Sequence, residues 1–416
     1  MQHVLIPYQV ADAAAHHRPR GILSDLYPRW IGSRELLLHG RNPYSDEVTR
    51  EIQIGYYGRP LDPARPDDPK DEQRFAYPIY VCFLLAPTVN LPFPVVRITF
   101  AWALALLTAG SVLLWLRVLR WRASLSVIII LLLLTVSSIP TIQGIKLQQL
   151  SLLAAALIAV ASAFLSAGML ACAGVVLAIA TIKPQLVFLL VFWLMIWTLG
   201  DWKQRHKLIW SFLITMVVLI AAAQFLLPGW IPQFVGALVA YERYTGGQSL
   251  LDVLSTRTGG TLLTTFAVLG TVVACWRARR ARTDSPTFKL MLALVLTVTV
   301  VIVPMMAPYN QLLLLPAIFL VLRSWPGLWR THGLSRMVLA IAAVLVGWPY
   351  IASLGLMLAS AVAPPAVVQR AWPLPLWTSI PIPLAVLAVL IPLVTRGLGD
   401  RSAAGSVPIH VSIPSP

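Results

Sequence analysis

Eleven apolar windows follow one another along this chain, and no carboxylate lies inside any of them. A bilayer core takes roughly 17–25 apolar residues of helix, so these windows, extended into their flanks, predict membrane spans. The chain is therefore expected to be an all-α polytopic integral membrane protein. The windows are residues 96–116, 125–139, 150–165, 169–182, 186–199, 208–227, 261–276, 288–303, 312–322, 337–358 and 377–394.

Composition supports a membrane protein and argues against a nucleic-acid-binding one. Hydrophobic residues make up 58% of the 416, more than a soluble domain needs. The net charge of +16 is carried by short Arg and Lys clusters between the windows. An even number of windows separates each pair of consecutive clusters, so all five are predicted on the cytoplasmic side, facing membrane lipids. The clusters lie at 117–122, 203–207, 277–282, 323–336 and 396–401.

This topology divides the chain into three parts. Residues 1–95 form an extracytoplasmic amino-terminal segment, residues 96–395 a helical bundle, and residues 396–416 a short cytoplasmic tail. A segment of this size normally needs a preceding hydrophobic helix for export, and residues 1–20 lack an apolar run. We therefore expect the natural protein to begin earlier, with one more helix.

The amino-terminal segment itself predicts two helices. The first covers residues 26–39, with Ser24 or Asp25 as its N-cap and Gly40 as its stop. The second covers residues 45–54, with Ser45 as its cap. Residues 77–92 are apolar but broken by prolines, which predicts an interfacial or re-entrant segment rather than a full crossing.

The chain has few carboxylates beyond its amino-terminal segment, which limits the choice of a general base. Of the 16 Asp and Glu residues, eleven lie before residue 73. Asp25, Glu242 and Asp252 are candidates, since a carboxylate is a usual acceptor for a hydroxyl proton. Asp25 could instead be only a helix cap, and the acids of 62–72 are interpreted as a solvated loop.

Polar residues also collect at the outer ends of the windows, which favours a site there. Lys183 interrupts an apolar run, either to bind an anion or to reach the interface as a simple surface lysine. The other polar residues in these positions are Lys146, Gln148, Gln149, Tyr309, Asn310 and Gln311.

Metal and cofactor chemistry receive no support from the sequence. Cys82, Cys172 and Cys275 stand singly in apolar runs and are interpreted as small buried side chains. The seven histidines show no ligand spacing. We therefore predict neither a metal site nor a cofactor.

Several short motifs, in their order along the chain, resemble glycosyltransferase family 87. This family contains polyprenol-phosphate-mannose-dependent mannosyltransferases and belongs to the C-type (GT-C) membrane glycosyltransferases. The resemblance runs over most of the chain and rests on the following segments: 25–30 (DLYPRW), 36–44 (LLLHGRNPY), 77–78 (YP), 84–87 (LLAP), 146–149 (KLQQ) and 182–185 (IKPQ).

The resemblance implies a GT-C-like bundle of about 11 helices and an inverting, metal-independent hexosyltransferase, with mannose as the family's usual sugar. The donor would be a polyprenyl-phosphate sugar, and the acceptor a hydroxyl of a glycolipid or glycan at the outer face, in envelope glycan synthesis. Asp25 matches the family's catalytic Asp, so the resemblance makes it the preferred base, with Glu242 and Asp252 as backups. The chemistry then assigns the donor phosphate to Lys183, Lys146 and Arg29. Sugar or acceptor binding falls to Gln148, Gln149, Tyr309, Asn310 and Gln311.

Two other functional classes remain open from the sequence. A transporter or flippase of lipids or glycans suits the number of spans, but predicts internal repeats and acids within the membrane, and neither is evident. A non-catalytic scaffold would bind a partner through its outer segment and would tolerate replacement of Asp25.

Overall fold

The computed structural model describes residue 11 and residues 21–404, apart from 63, 66, 305–306 and 331–332. Its regular structure is helical, as predicted. The expectations about the start of the chain and the end of the tail fall on residues 1–10, 12–20 and 405–416, outside the described residues. The amino-terminal helices are α1 (Leu26–His39), α2 (Asp46–Tyr57) and α3 (Val81–Leu85), the last continued by the 3-10 turn Ala86–Thr88.

The bundle follows in chain order. Its first half contains α4 (Phe93–Val118), α5 (Leu125–Ser137), α6 (Ile139–Lys146), α7 (Leu150–Ser166), α8 (Leu170–Ala180), α9 (Pro184–Leu199) and α10 (Trp202–Leu226). Its second half contains α11 (Trp230–Thr245), α12 (Leu250–Leu254), α13 (Arg257–Ala278), α14 (Pro286–Ile302), a 3-10 helix (Pro308–Leu314), α15 (Leu315–Trp329), α16 (Leu334–Val362), α17 (Pro365–Ala371), α18 (Leu374–Trp377) and α19 (Ile382–Ala404).

The chain is a polytopic membrane protein. Helices α5 and α6 form one further candidate span, bent by 52° at Ser138. Large apolar side chains on the outside of the bundle, such as Trp102 and Phe225, are exposed, as expected for surfaces that face lipid. Six segments of the described chain are individually long and apolar enough to cross a membrane: Phe93–Val118, Trp202–Leu226, Arg257–Ala278, Pro308–Trp329, Leu334–Val362 and Ala366–Arg396.

Four of the eleven predicted windows form shorter helices. Helices α7, α8, α9 and α14 have 17, 11, 16 and 17 residues. Both α7 and α14 are buried along most of their length, and α7 is rich in alanine, whose small side chain lets neighbouring helices approach closely. Each predicted window thus corresponds to a helix, while six or seven candidate spans meet the length requirement.

Four of the basic clusters meet at one end of the bundle. The guanidinium of Arg205 donates to the carbonyl oxygen of Arg279 at 2.9 Å. Arg323 donates to the backbone carbonyl directly before Arg120, and Arg120 lies 4.0 Å from the carboxylate of Asp284. These contacts link the clusters at 117–122, 203–207, 277–282 and 323–336, in agreement with the prediction that they share one side.

The two helices predicted in the amino-terminal segment are confirmed. Gly40 ends α1 in a left-handed conformation, with φ of 64°. The hydroxyl of Ser45 caps α2 by accepting the backbone N–H three residues further on. Arg41 joins the helices, because its guanidinium binds Glu35 of α1 at 2.8 Å and Glu51 of α2 at 2.6 Å.

Close packing around α6 generates a stability prediction. A Cβ added to Gly144 would lie 2.2 Å from Leu152 and 3.1 Å from Tyr309, so Gly144→Ala should destabilise the fold by about 1–3 kcal/mol through overpacking. Thermal unfolding in detergent measures this. Gly110→Ala is the matched control, since nothing lies within 4 Å of its Cβ position. Equal stability of the two variants would contradict the prediction.

Candidate active site

One glutamine amide stands between the carboxylate of Asp25 and the ammonium group of Lys183. The Gln149 Nε2 group donates to Oδ2 of Asp25. Its Oε1 atom accepts from Lys183 Nζ at 3.2 Å. Residues distant in sequence therefore bring a base candidate and a cation candidate together, separated by a single neutral side chain.

The end of α6 fixes the position of Gln149. Its backbone N–H donates to the Gly144 carbonyl at 2.8 Å, closing the last turn of the helix. This closure requires Gln148 to adopt a left-handed conformation, with φ of 49°. The Gln148 side chain then donates to the carbonyls of Ile145 and Lys146, each at 2.7 Å. The Gln148 side chain therefore stabilises the end of α6, while the Gln149 side chain contacts Asp25 and Lys183.

Proline chemistry fixes the position of Lys183. A residue before proline is disfavoured in the helical conformation, and Lys183 has φ of −128° and ψ of 77° at the break between α8 and α9. Its side chain is 7% exposed. The ammonium group also donates to the Ser151 hydroxyl and lies 5.2 Å from the centre of the Tyr309 ring. A buried cation is thus supplied with acceptors and an aromatic face.

Asp25 occupies the N-cap position of α1, but its side chain makes no capping hydrogen bond to that helix. The predicted N-cap position of Asp25 is therefore confirmed, while its carboxylate accepts from Gln149 rather than from the helix. Its backbone N–H donates to the Leu147 carbonyl at 2.8 Å, which ties α1 to the turn that carries Gln149. Arg29 donates to the Asp25 carbonyl at 2.8 Å and lies over the Tyr77 ring at 4.7 Å.

The surroundings of Asp25 favour a proton acceptor. Burial raises the pKa of its carboxyl above the ordinary value of 3.8, and the charges of Arg29 and Lys183 oppose that rise. The charge of Asp71 raises the pKa further, and the hydrogen bond from Gln149 lowers it. A base with a raised pKa holds a proton more readily and is better suited to general base catalysis.

Asp71 is a site residue that the sequence analysis missed. The hydroxyl of Tyr57 donates to its backbone carbonyl at 2.9 Å, which holds the loop against α2. Its carboxylate accepts from the Gln73 side chain at 2.7 Å and influences Asp25 electrostatically. We predicted the acids of 62–72 to be solvated, but the Asp68 side chain is 6% exposed and paired with Arg59, and the charge of Asp71 acts on Asp25. Ser151 was also missed, although it stands two residues after Gln149.

Backbone strain is concentrated around these residues. Among the described residues, four non-glycine positions have a positive φ, and three of them are near the site. Leu23 precedes Asp25 closely, Gln73 contacts Asp71, and Gln148 precedes Gln149. Left-handed backbone at ordinary residues is costly and is often retained where it positions functional groups.

The predicted sugar-binding residues of 309–311 have different surroundings. Tyr309 faces Lys183, as described above. Asn310 is buried, and Gln311 donates to the Ser379 carbonyl at 2.8 Å. Only Tyr309 of the three has a contact with the Asp25–Gln149–Lys183 group among the described interactions.

Three further candidates lie away from this group. Lys146 lines a separate cavity of about 200 Å³ together with Trp372. Glu242 is exposed near the end of α11. Asp252 forms a capping box with Ser249, whose backbone and hydroxyl donate to its carboxylate at 2.8 and 2.7 Å. These hydrogen bonds lower the pKa of Asp252 and give it a structural role.

Within the described residues, no three His, Cys, Asp or Glu side chains form a group that could hold a metal ion.

Comparison with known proteins identifies the family. The model of glycosyltransferase family 87 matches residues 75–304, more than half of the chain. The match includes Gln149 and Lys183, whereas Asp25 and Tyr309 lie outside it. No curated protein and no solved structure matches the sequence significantly. The chain belongs to glycosyltransferase family 87 and is a multi-pass membrane glycosyltransferase with a sugar donor and an acceptor.

Proposed function

We propose that the protein transfers a hexose, with mannose as the family's usual sugar, from a polyprenyl-phosphate donor to a hydroxyl of a glycolipid or glycan. The observation that carries this proposal is the pairing of Asp25 with Lys183 across Gln149. It supplies the two groups that the reaction needs, a proton acceptor and a cation for the leaving phosphate.

In the proposed reaction, the acceptor hydroxyl attacks the anomeric carbon of the sugar. Its proton passes to the carboxylate of Asp25 as the new C–O bond forms. The bond between the anomeric carbon and the phosphate oxygen breaks, and its electron pair stays on the phosphate beside Lys183. Attack from the face opposite the phosphate inverts the anomeric centre.

The lipid tail of the donor has a candidate path into the bundle. A cavity of about 860 Å³ lies between α5, α15, α16 and α19 and is lined mainly by apolar side chains such as Leu131 and Val386. Neither Asp25 nor Lys183 lines it, so the cavity is not the reaction centre itself. Gln311 does line it, and Gln311 stands two residues after Tyr309, the residue whose ring lies near Lys183.

The proposed orientation puts Asp25 and Lys183 on the extracytoplasmic side of the cell membrane and the carboxyl terminus in the cytoplasm. The joined basic clusters support it, because positive loops favour the cytoplasmic side. We retain about 11 membrane-spanning helices as the proposed count, since α7, α8, α9 and α14 are apolar although short.

Replacement of the base tests the mechanism. Asp25→Asn should lower turnover by about 10²–10⁴-fold, because the amide cannot accept the hydroxyl proton. Release of polyprenyl phosphate from a panel of polyprenyl-phosphate sugars, with a bacterial lipid extract as acceptor, measures it.

Asp252→Asn is the matched control for Asp25→Asn. It should retain turnover and lose up to about 1 kcal/mol of stability, because its carboxylate belongs to a capping box. Full activity of Asp25→Asn would remove Asp25 from the mechanism.

The pH dependence of kcat/KM follows from the surroundings of Asp25. The ionised carboxylate is the active form, so activity should be present above the pKa of Asp25 and lost as the pH falls through it. Because burial raises that pKa, the midpoint of the acidic limb should lie above 3.8. A pH–rate profile of the wild type measures it, and a profile still flat at pH 3.8 would contradict the assignment.

The donor phosphate is expected at Lys183 rather than at Lys146. Lys183→Gln should raise the KM for the donor about 10–100-fold, the value of a hydrogen bond to a charged group. Lys146→Gln serves as the comparison, because Lys146 lines a different cavity, and its KM should stay close to that of the wild type. A larger increase of KM in Lys146→Gln than in Lys183→Gln would assign the donor phosphate to the Lys146 cavity instead.

A further inference from the structure

Gln149 can satisfy both of its neighbours in only one orientation. An ionised carboxylate accepts hydrogen bonds and donates none, and an ammonium group donates and accepts none. The amide therefore has to turn its NH₂ group to Asp25 and its oxygen to Lys183, as it does in the structure. Rotation of the amide by half a turn would place like groups against each other at both ends.

The backbone leaves Gln149 little freedom to move away from this position. Its side chain is 5% exposed, and its N–H closes the end of α6. The Asp25 backbone is bonded to Leu147, two residues before Gln149. The base and the amide are thus attached to the same turn, and a change at Lys183 can be transmitted through Gln149.

A phosphate oxygen is an alternative hydrogen-bond acceptor for the ammonium group of Lys183. Its ammonium group carries three N–H donors, of which Gln149 takes one and Ser151 another. A phosphate oxygen is a stronger acceptor than an amide oxygen, because charge assistance roughly doubles the strength of such a bond. A lipid phosphate can therefore take the third N–H donor of Lys183, and its negative charge weakens the polarisation of the Gln149 amide by the ammonium group.

We propose that Gln149 is a positioning residue that couples donor binding to the base: its amide links Lys183 to Asp25, so that a lipid phosphate on Lys183 changes the hold of Gln149 on the Asp25 carboxylate. This inference rests on the proposed function, because it takes the phosphate of that donor as the ligand of Lys183.

The coupling has a defined direction. The positive charge of Lys183 and the hydrogen bond from Gln149 both lower the pKa of Asp25. A phosphate on Lys183 offsets that charge and weakens the amide's polarisation, so the pKa of Asp25 rises. Asp25 then becomes a better proton acceptor when the donor is in place. The other charged and titratable groups around Asp25 are Arg29, Tyr56, Tyr57, Asp71, Tyr241 and Tyr309.

Infrared titration of Asp25 tests the coupling without requiring turnover. Full-length protein labelled with ¹³C at the aspartate carboxyl carbons is titrated in detergent, and the band missing in Asp25→Asn reports Asp25. Farnesyl phosphate serves as the probe for a lipid phosphate, and its binding is measured separately for every variant. In the wild type, the probe should raise the titration midpoint, and in Lys183→Gln it should not.

Gln149→Leu is the decisive variant, because leucine has a similar size and makes neither hydrogen bond. Its midpoint without the probe should lie about one pH unit above that of the wild type, and the rise caused by bound probe should be smaller, because only the direct charge of Lys183 then acts on Asp25. An unchanged midpoint, or a full rise with bound probe, would overturn the proposal. Gln149→Glu provides a second variant of nearly unchanged shape, in which like charge should also raise the midpoint.

Gln148→Leu is the matched control. Gln148 is equally buried in the same turn, but its side chain bonds only to backbone carbonyls of α6. This variant should change thermal stability and leave the Asp25 midpoint in place, and an equal midpoint shift in both variants would assign Gln149 a purely structural role.

Transferase assays of the wild type test the proposed function independently of the titration. Absence of turnover with every donor would overturn the proposed function, whereas the titration alone decides the role of Gln149.

Discussion

The buried ammonium group of Lys183 is the interaction on which the rest of the site depends. A charge removed from water is tolerated only when other groups solvate it, and here two separate elements do so. The start of α7 supplies Gln149 and Ser151, and the 3-10 helix supplies the Tyr309 ring. The Pro184 break between α8 and α9 directs Lys183 into their midst. These contacts of Lys183 fix the positions of the short inner helices relative to one another.

A neutral amide between the two charges has a chemical advantage over a direct ion pair. Contact between Asp25 and Lys183 would lower the pKa of the carboxyl strongly and would occupy the ammonium group. With Gln149 between them, the carboxylate keeps a raised pKa and the ammonium keeps donors for an anion. Arg29 lowers the pKa of the Asp25 carboxyl and Asp71 raises it, so their effects on that pKa oppose each other.

Local signals in the sequence were sufficient for the helices and for the family. Gly40 and Ser45 mark helix ends through backbone conformation and side-chain capping, so the ends of α1 and the start of α2 could be predicted. The apolar windows predicted the helices of the bundle because burial in lipid requires continuous hydrophobicity. Asp25 was selected through the resemblance to glycosyltransferase family 87, although a capping role was equally consistent with its local sequence.

Contacts between distant segments could not be predicted in this way. Gln148 and Gln149 look equivalent in the sequence, and only the left-handed backbone of Gln148 turns one toward the helix end and the other toward Asp25. Asp71 lies in a loop whose composition indicates exposure to solvent, yet the Tyr57 hydroxyl donates a hydrogen bond to its backbone carbonyl and holds it against α2. The lengths of the inner helices were likewise hidden, because hydropathy measures apolarity and not the thickness of bilayer that a helix crosses.

The turn at residues 147–149 has a mechanical consequence. Through it, the amino-terminal helices and the bundle are located against one short piece of backbone, since Asp25 bonds to Leu147 and Lys183 bonds to Gln149. Fluctuations in bilayer thickness tilt the long outer helices, but they move both reactive groups together with this turn. We therefore expect the distance between the Asp25 carboxylate and the Lys183 ammonium group to change little when the surrounding lipid moves.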